Sequence, residues 1–523
     1  MAHFIIIGSG PSGTSAAFAL LDNGHSVHMV DGGMRLEPDT KKIIDELSEL
    51  PSDQWDQAAI DKIKSGPPPS TGGIAEKRIY GSRYPYAAPK GARLFRTKNA
   101  HTHVSYAPGG LSTVWGGAIL PSLKSDIANW PISSQELAPH YEAILKHLPR
   151  AGGSLKDLFD LEEDYSQPFS LSTGAQACLH RMTQNRNKLS AQGIRFGLAH
   201  LAAELGQSSD ETSCAYCGLC LHGCPQRRIY SSENEIAALN NSPDFTYTSG
   251  ILAQRITENA SGVSLQAFDQ NGNPLTPIKA DKCIVAAGPF ASTAIIMDSL
   301  EMYGREKKML HSDHLLIPML HLSASGKFDS EPRHSLAQIF MEINAPELDS
   351  HLIHCQLYGY NDMYTKTIKE ILGKTYAVAR PFIRPLEGRL MLIQGYLHSQ
   401  SSAHMKIKLA QGPGATATVS GHPNTKAIQI KNTLTRKLLT NAFNIGAIPI
   451  LPMAKVGTPG AGNHSGGSFP MSLQPKEGET DTLGRPWGLK NIHMIDSSIL
   501  PDIPATTITL TVMANARRIG STL

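Results

Sequence analysis

The chain has 523 residues, of which 41% are hydrophobic and 18% charged, and its 48 Lys and Arg against 45 Asp and Glu give a formal net charge of +3. This composition is typical of a globular protein, and the length predicts two to four domains at about 150 residues each. The small net charge, with no block of Lys or Arg, excludes nucleic acid and anionic lipid as principal partners. No apolar run approaches the ~18 residues of a membrane span, and no basic leader precedes the first strand. A cytoplasmic location is therefore predicted, with export on a partner subunit left open.

A dinucleotide-binding motif opens the chain. Residues 3–31 predict a strand, a glycine turn, a helix and a second strand. Gly8 permits a tight turn, Gly10 the close approach of a pyrophosphate, and Gly13 the packing of the helix on the strand. Asp31 ends the second strand about 20 residues further on, where an acid accepts hydrogen bonds from a ribose hydroxyl. The motif predicts a bound dinucleotide without separating FAD from NAD.

A second glycine-rich segment, residues 108–117, places two pairs of glycines around Trp115 and predicts backbone close to a flat ligand. Together with residues 8–31, this segment resembles the glucose-methanol-choline (GMC) family of FAD oxidoreductases. The resemblance implies that the flavin is contacted by Gly110, Ser112, Thr113, Val114 and Trp115. The segment is also similar to the loop of pyranose oxidases, in which a histidine at the Val114 position carries the flavin covalently. Because valine cannot form that bond, noncovalent FAD is predicted.

Further matches to the family follow in order along the chain. Ser133 and Glu136 have the spacing of a capping box at the start of a helix. An apolar strand ends at Gly288, which matches a family glycine beside the dinucleotide. The segment 312–314 resembles a family segment near the flavin, although His314 is interpreted here as a structural histidine.

Four of the seven cysteines fall within eleven residues, at Cys214, Cys217, Cys220 and Cys224. This spacing is that of the bacterial ferredoxin run, and it predicts an iron–sulfur cluster of the 3Fe-4S or 4Fe-4S type. Some sugar dehydrogenases similar to the GMC family carry a 3Fe-4S cluster on a comparable segment. A structural zinc site and two disulfides remain alternatives. A cluster beside a flavin would pass electrons to a protein or quinone acceptor instead of directly to O₂.

The last third contains the predicted catalytic residues. Strands are predicted at 390–398 and 405–409, with a helix at 431–444. The segment 462–467 resembles the family's His-x-x-Gly segment, and His464 is predicted to be the general base, since a neutral imidazole accepts a proton at neutral pH. The family places a second His or Asn where this chain has Thr507, which forms hydrogen bonds to substrate or flavin but cannot act as a base. His398 is a candidate for that second role, and Asp496 matches a family acid that holds the flavin.

The resemblance implies an α/β fold with a Rossmann-like three-layer FAD domain and a second domain on a largely antiparallel sheet. The expected FAD-binding parts are residues 1–125, 206–320 with the cysteine loop, and 456–523. The expected substrate-domain parts are residues 126–205 and 321–455. The expected function is oxidation of an alcohol on a small-molecule substrate, a sugar or glycoside by family likeness, with hydride transfer to flavin N5. Two alternatives stay open: a non-redox lyase that keeps FAD as scaffold, and a sterol or alcohol oxidase that uses O₂ with zinc or no metal.

Overall fold

The computed structural model describes residues 1–65, 77–159, 167–206, 214–323, 328 and 331–523. The strands in this part of the chain are β1 (His3–Ile7), β2 (Ser26–Asp31), β3 (Phe95–Lys98), β4 (Ile194–Leu198), β5 (Phe245–Ser249), β6 (Leu252–Asn259), β7 (Gly262–Phe268), β8 (Ile278–Ala280), β9 (Lys282–Val285), β10 (Glu306–His311), β11 (His314–His321), β12 (Ile339–Ile343), β13 (Ile353–Tyr358), β14 (Leu390–Tyr396), β15 (His404–Leu409), β16 (Ala417–His422), β17 (Ala447–Pro449), β18 (Lys455–Val456), β19 (Ser465–Gly466) and β20 (Ile492–Met494).

The helices lie between these strands and at the carboxyl end. They are α1 (Pro11–Asp22), α2 (Pro38–Ser48), α3 (Gln57–Ile63), α4 (Ser134–Leu145), α5 (Lys156–Phe159), α6 (Thr173–Gln184), α7 (Arg186–Ala191), α8 (Ser232–Leu239), α9 (Pro289–Ser299), α10 (Asp362–Leu372), α11 (Tyr376–Glu387), α12 (Thr425–Thr440), α13 (Ala442–Ile445) and α14 (Thr509–Thr522). None of the described helices is long and apolar enough to cross a membrane.

The amino-terminal motif folds into a parallel sheet with the strand order β20-β9-β1-β2-β5. Its central strand β1 buries Phe4, Ile5, Ile6 and Ile7, as expected of a strand covered on both faces. Helix α1 packs against α14, while the antiparallel sheet β6-β7-β8 packs against β1 and β9. The predicted α/β class and the three-layer dinucleotide-binding part are confirmed.

A second, seven-stranded sheet has the order β17-β11-β14-β13-β12-β4, with β18 also paired to β11. Its neighbouring strands are antiparallel, as predicted for the substrate side. One core of buried aliphatic side chains covers this sheet together with helices α6 and α12. Strand β11 belongs to this sheet, although the sequence analysis assigns residues 206–320 to the FAD-binding domain. The domain boundaries stay a prediction.

A third sheet, in the order β19-β10-β15-β16-β3, positions the segment that follows His464. The predicted strand at 405–409 lies here as β15, whereas the strand predicted at 390–398 is β14 of the seven-stranded sheet. The helix predicted at 431–444 is α12 followed by α13, with a break at Asn441. The capping box of Ser133 and Glu136 is present at the start of α4.

Candidate active site

The turn between β1 and α1 leaves no room for side chains at two of its three glycines. Gly8 has a φ of +104°, and a Cβ there would lie 2.4 Å from the Ala286 carbonyl oxygen. A Cβ on Gly13 would lie 2.0 Å from the Gly8 oxygen, so the helix packs as closely as predicted. At Gly10 no atom lies within 4 Å of the added Cβ, and this residue lines the large cavity. The space in front of Gly10 fits the pyrophosphate of a dinucleotide.

Asp31 stands at the carboxyl end of β2, as predicted, and lines the same cavity. Its carboxylate accepts hydrogen bonds from the Ser9 hydroxyl, from the Tyr247 hydroxyl at 2.9 Å and from the Gly33 backbone N–H at 3.0 Å. Burial raises the pKa of Asp31 above its usual value, and these three hydrogen bonds oppose the shift. The carboxylate is therefore held at the position where a ribose hydroxyl is expected.

The second glycine segment lies directly against the first. Gly109 donates its backbone N–H to the Ser9 hydroxyl at 3.0 Å, and a Cβ on Gly110 would lie 3.5 Å from the Gly10 Cα. Trp115 is fixed by its indole N–H, which donates to the Tyr230 carbonyl at 2.8 Å. Gly110, Ser112, Val114 and Trp115 all line the cavity. Thr113 does not line it and instead donates to the Gly110 carbonyl at 2.9 Å.

A carboxylate from the closing segment completes the flavin side of the cavity. Asp496 is buried and accepts hydrogen bonds from the Ser292 hydroxyl and from the Ser498 backbone N–H. Burial raises the pKa of Asp496. Gly288, with a φ of +82°, begins the turn into α9 and has no atom within 4 Å of an added Cβ. Both residues line the cavity, and their contact with the flavin stays a prediction.

The cavity has a volume of about 2190 Å³ and extends from these residues to the side of the seven-stranded sheet that carries Gln356 and Tyr396. Ligand pockets usually have volumes of about 300–1,000 Å³, so this one accommodates a dinucleotide together with a substrate. The open space at Gly10 and the carboxylate of Asp31 fit FAD.

His464 and Thr507 line the cavity opposite the glycine turn. The His464 ring stacks on Tyr396, with ring centroids 4.8 Å apart and planes at 28°. Burial, followed by the nearby histidines 354, 314 and 311, lowers the pKa of His464 to about 3, so the imidazole is neutral at neutral pH. His464 Nδ1 and Thr507 Oγ1 are both buried and have no hydrogen-bond partner among the described residues. Two unsatisfied polar atoms on residues that line one cavity fit a hydroxyl-bearing ligand.

The sequence analysis missed a row of polar residues on the seven-stranded sheet. Glu342 on β12 pairs with His354 on β13, His354 with Tyr396 on β14, and Tyr396 with His314 on β11. His354 Nδ1 lies 2.8 Å from Glu342 Oε1, and both side chains are buried. The row ends at His314 and Tyr396, which line the cavity. The signal for this row in the sequence was an acid or a histidine inside an otherwise apolar strand.

His398, the candidate for the second catalytic role, does not line the cavity. It lies beyond the end of β14 and stacks on His351, with ring centroids 3.8 Å apart. Its Nδ1 accepts the Gln400 backbone N–H at 3.3 Å. That candidate assignment is wrong because the chain leaves the sheet after Tyr396. His314, interpreted as structural, faces the cavity instead.

The four clustered cysteines are free thiols, as are the other three cysteines of the chain. Backbone N–H groups approach three of the sulfurs: Tyr216 at Cys214, Ser335 at Cys220 and Arg228 at Cys224, at 3.3–3.4 Å. In the described part of the chain, no three His, Cys, Asp or Glu side chains form a group that could hold a metal ion.

Comparisons with known proteins agree with this geometry. Residues 421–516 match the family model of the GMC oxidoreductases. The chain is similar to 6'''-hydroxyparomomycin C oxidase of Streptomyces lividus, with 22% identity over 98% of this chain and 89% of the relative. It shares its fold with the crystal structure of pyridoxine 4-oxidase from Mesorbium loti, at a TM-score of 0.62 and 14% identity, over 100% of this chain and 99% of the other. The carboxyl-terminal part of the chain thus matches the GMC oxidoreductases, a similarity that implies FAD as cofactor, and the comparisons together support an oxidoreductase that acts on CH–OH groups.

Proposed function

We propose that the protein oxidises one alcohol group of a hydroxylated, sugar-like substrate to a carbonyl, with His464 as general base and noncovalently bound FAD as hydride acceptor. The observation that carries the proposal is the single cavity that joins the glycine turn, the loop at Trp115 and Asp496 to His464 and Thr507. The similarity to an oxidase named for 6'''-hydroxyparomomycin C supports the choice of a sugar-like substrate.

The substrate-facing wall carries hydrogen-bonding groups suited to several hydroxyls. Gln356, Tyr358, Gln394 and Tyr396 line the cavity on β13 and β14. Tyr358 donates to the Gln356 amide oxygen at 2.9 Å, and Tyr396 donates to the Gln394 amide oxygen at 3.3 Å. These bonds orient both amides, and oriented amides discriminate between hydroxyl arrangements.

FAD, when bound, supplies the acceptor for the hydride that leaves the carbinol carbon. His464 takes the hydroxyl proton, because its ring is neutral before the step and its buried Nδ1 has no hydrogen-bond partner among the described residues. The stacked Tyr396 ring holds the plane of the imidazole. Thr507 Oγ1 forms a hydrogen bond to the substrate oxygen and keeps it in reach of His464.

Noncovalent attachment of FAD is supported by Val114, a buried cavity-lining residue with no atom able to bond to the flavin. The FAD-loaded protein is precipitated with acid and the flavin is measured in both fractions. The proposal requires the flavin in the supernatant, and flavin that stays in the pellet contradicts it.

The main test follows flavin reduction after anaerobic mixing of the FAD-loaded protein with sugars, glycosides and simple alcohols. Bleaching of the flavin by a hydroxylated substrate, together with formation of the carbonyl product, supports the proposal. Substrate turnover without any flavin bleaching favours the lyase alternative. Reoxidation by O₂ with peroxide release identifies an oxidase, whereas reoxidation by artificial acceptors alone identifies a dehydrogenase.

We also propose that Cys214, Cys217, Cys220 and Cys224 bind an iron–sulfur cluster that passes electrons to a protein or quinone acceptor. The ferredoxin-like spacing and the three amides directed at sulfurs support this. Lys77 donates to the Trp115 carbonyl at 2.7 Å and interacts electrostatically with Cys220, so the cysteine segment lies beside the flavin loop.

The cysteine proposal is decided on anaerobically purified protein by its visible spectrum and by iron, zinc and acid-labile sulfide assays. Three or four irons per chain with matching sulfide support the cluster. Zinc, or no metal at all, contradicts it and leaves the segment with a structural role.

A further inference from the structure

A helical hairpin at the mouth of the cavity exposes an apolar stripe. On α11, Val378, Phe382 and Leu386 recur every four residues and are 79%, 81% and 50% exposed. Ile371 at the end of α10 is 70% exposed. Residues four apart lie on one face of a helix, so the three α11 side chains form a continuous surface, which together with Ile371 is here named the α10–α11 stripe. Large aliphatic and aromatic side chains exposed together mark an interaction surface.

The hairpin is joined to the rest of the molecule at the start of α10. Within α11, Tyr376 is buried and donates its hydroxyl to Glu387 of the same helix at 2.9 Å, so the buried side of this helix is internally paired. On α10, Asp362 forms an ion pair with Lys64 at 3.0 Å and a hydrogen bond with His222 at 3.0 Å, and His222 lies within the cysteine segment. The hairpin is therefore an anchored element whose outer face carries the stripe.

Charge is distributed unevenly around the stripe. Lys369, Lys374 and Arg380 are exposed on the hairpin, and the only exposed acid on its two helices is Glu370. The carboxylates of Asp362 and Glu387 already have partners on the inner side. An apolar face bordered by Lys and Arg is typical of helices that lie in the interface of an anionic bilayer. The overall net charge of +3 conceals this local segregation.

We propose that the α10–α11 stripe docks on an anionic phospholipid surface. The apolar side chains enter the boundary between headgroups and acyl chains, while the cations contact lipid phosphates. A symmetric dimer through the same surface would bring the cations of one copy against those of the other, which disfavours a second copy as the occupant. The inference goes beyond the proposed function, because docking does not depend on which alcohol is oxidised.

The location of the stripe gives docking a consequence for the reaction. Residues of α10 that precede the stripe, including Lys366, Thr367 and Ile368, line the cavity. A bilayer bound to the hairpin therefore lies next to the cavity mouth and next to the segment that contains His222. A lipid-soluble substrate or electron acceptor would reach the cavity without crossing water.

The test measures sedimentation of the FAD-loaded full chain with vesicles of phosphatidylglycerol and phosphatidylcholine, and with vesicles of phosphatidylcholine alone. We expect binding to the anionic vesicles, weakened by salt. The double variant Val378→Ser, Phe382→Ser and the double variant Lys374→Glu, Arg380→Glu should each lower the partition coefficient about tenfold or more. The matched control is Phe443→Ser on α13, which removes a side chain of similar exposure, 74%, away from the hairpin.

Three results would overturn the proposal. The first is no sedimentation with anionic vesicles at low salt. The second is equal loss of binding in the Phe443→Ser control. The third is a dimer, measured by light scattering, that dissociates in the Val378→Ser, Phe382→Ser variant, because a second copy would then be the occupant. Unchanged flavin reduction by a water-soluble substrate in the stripe variants confirms that they remain folded.

Discussion

The flavin side and the substrate side of the cavity are built in different ways. On the flavin side, Gly8, Gly10 and Asp31 come from one continuous stretch, and their positions follow from backbone geometry. On the substrate side, Glu342 and His354 meet only because two antiparallel strands pair in a given register. A site that depends on local backbone geometry tolerates few sequences, so it can be recognised as a sequence motif. A site that depends on strand register appears in the sequence only as isolated polar residues within apolar strands.

The largest effect on activity is expected at the point where the two sides meet. His464→Ala removes the proposed base and should lower the rate of flavin reduction by about 10²–10⁴-fold. FAD affinity should change little, because the proposed contact is with the substrate hydroxyl. The measurement is stopped-flow flavin reduction under anaerobic conditions, with FAD affinity as control. An unaltered reduction rate contradicts the assignment of the base.

Two alanine substitutions on the flavin side distinguish a glycine needed for helix packing from a glycine needed for cofactor binding. Gly13→Ala places a Cβ against the Gly8 carbonyl and should destabilise the fold by about 3 kcal/mol or more. Gly10→Ala has free space in the structure and should leave unfolding of the FAD-free protein nearly unchanged while weakening FAD binding. Denaturant unfolding and FAD titration of both variants distinguish these outcomes. Equal destabilisation by the two changes would show that Gly10 also serves packing.

Buried histidines should make the substrate side sensitive to acid. Burial lowers the pKa of His314, His334 and His464 to about 3 each, below about 6.5 in an unfolded chain. Below pH 6.5 the unfolded state therefore binds more protons than the folded state, and the free energy of unfolding falls as the pH falls towards 3. Each histidine contributes about 1.4 kcal/mol per pH unit in this window.

Denaturant unfolding between pH 7.5 and 5 measures that slope. His334 lies outside the cavity, against Phe169 at 4.9 Å, so His334→Gln should reduce the slope by about one proton without affecting flavin reduction. A wild-type stability that does not change across this range contradicts the lowered pKa values.

The part of the site that the sequence predicted consists of contiguous segments. The glycine turn, the loop at Trp115 and Asp496 all lie on the cavity as expected. Tyr396 was not predicted because its neighbours in the row, at 314, 342 and 354, are far apart in sequence and share no fixed spacing. The misassignment of His398 has the same cause, since the end of β14 decides which histidine faces the cavity. Strand ends and register depend on tertiary packing, which a single sequence does not display.

Substitution of Glu342 tests whether the polar row on the substrate side contributes to the reaction. Glu342→Gln keeps the shape of the side chain but removes the carboxylate that holds His354 Nδ1. We expect kcat to fall about tenfold with little change in KM, because His354 stacks on Tyr396 with ring centroids 6.1 Å apart, and Tyr396 stacks on His464. Glu347→Gln, at an exposed acid paired with Lys437, is the matched control. Equal kinetics in the two variants would limit the row to a structural role.

The smallest effect is expected at Thr507, where a threonine stands in place of the usual histidine or asparagine. Its Oγ1 faces the cavity without a partner among the described residues, so it has one hydrogen bond to offer the substrate. Loss of one such bond costs about 1 kcal/mol, so Thr507→Ala should lower kcat/KM about fivefold. Thr507→Ser keeps the hydroxyl and should retain most of the activity. If serine loses as much as alanine, the threonine methyl group and its packing, not the hydrogen bond, position the substrate at this wall.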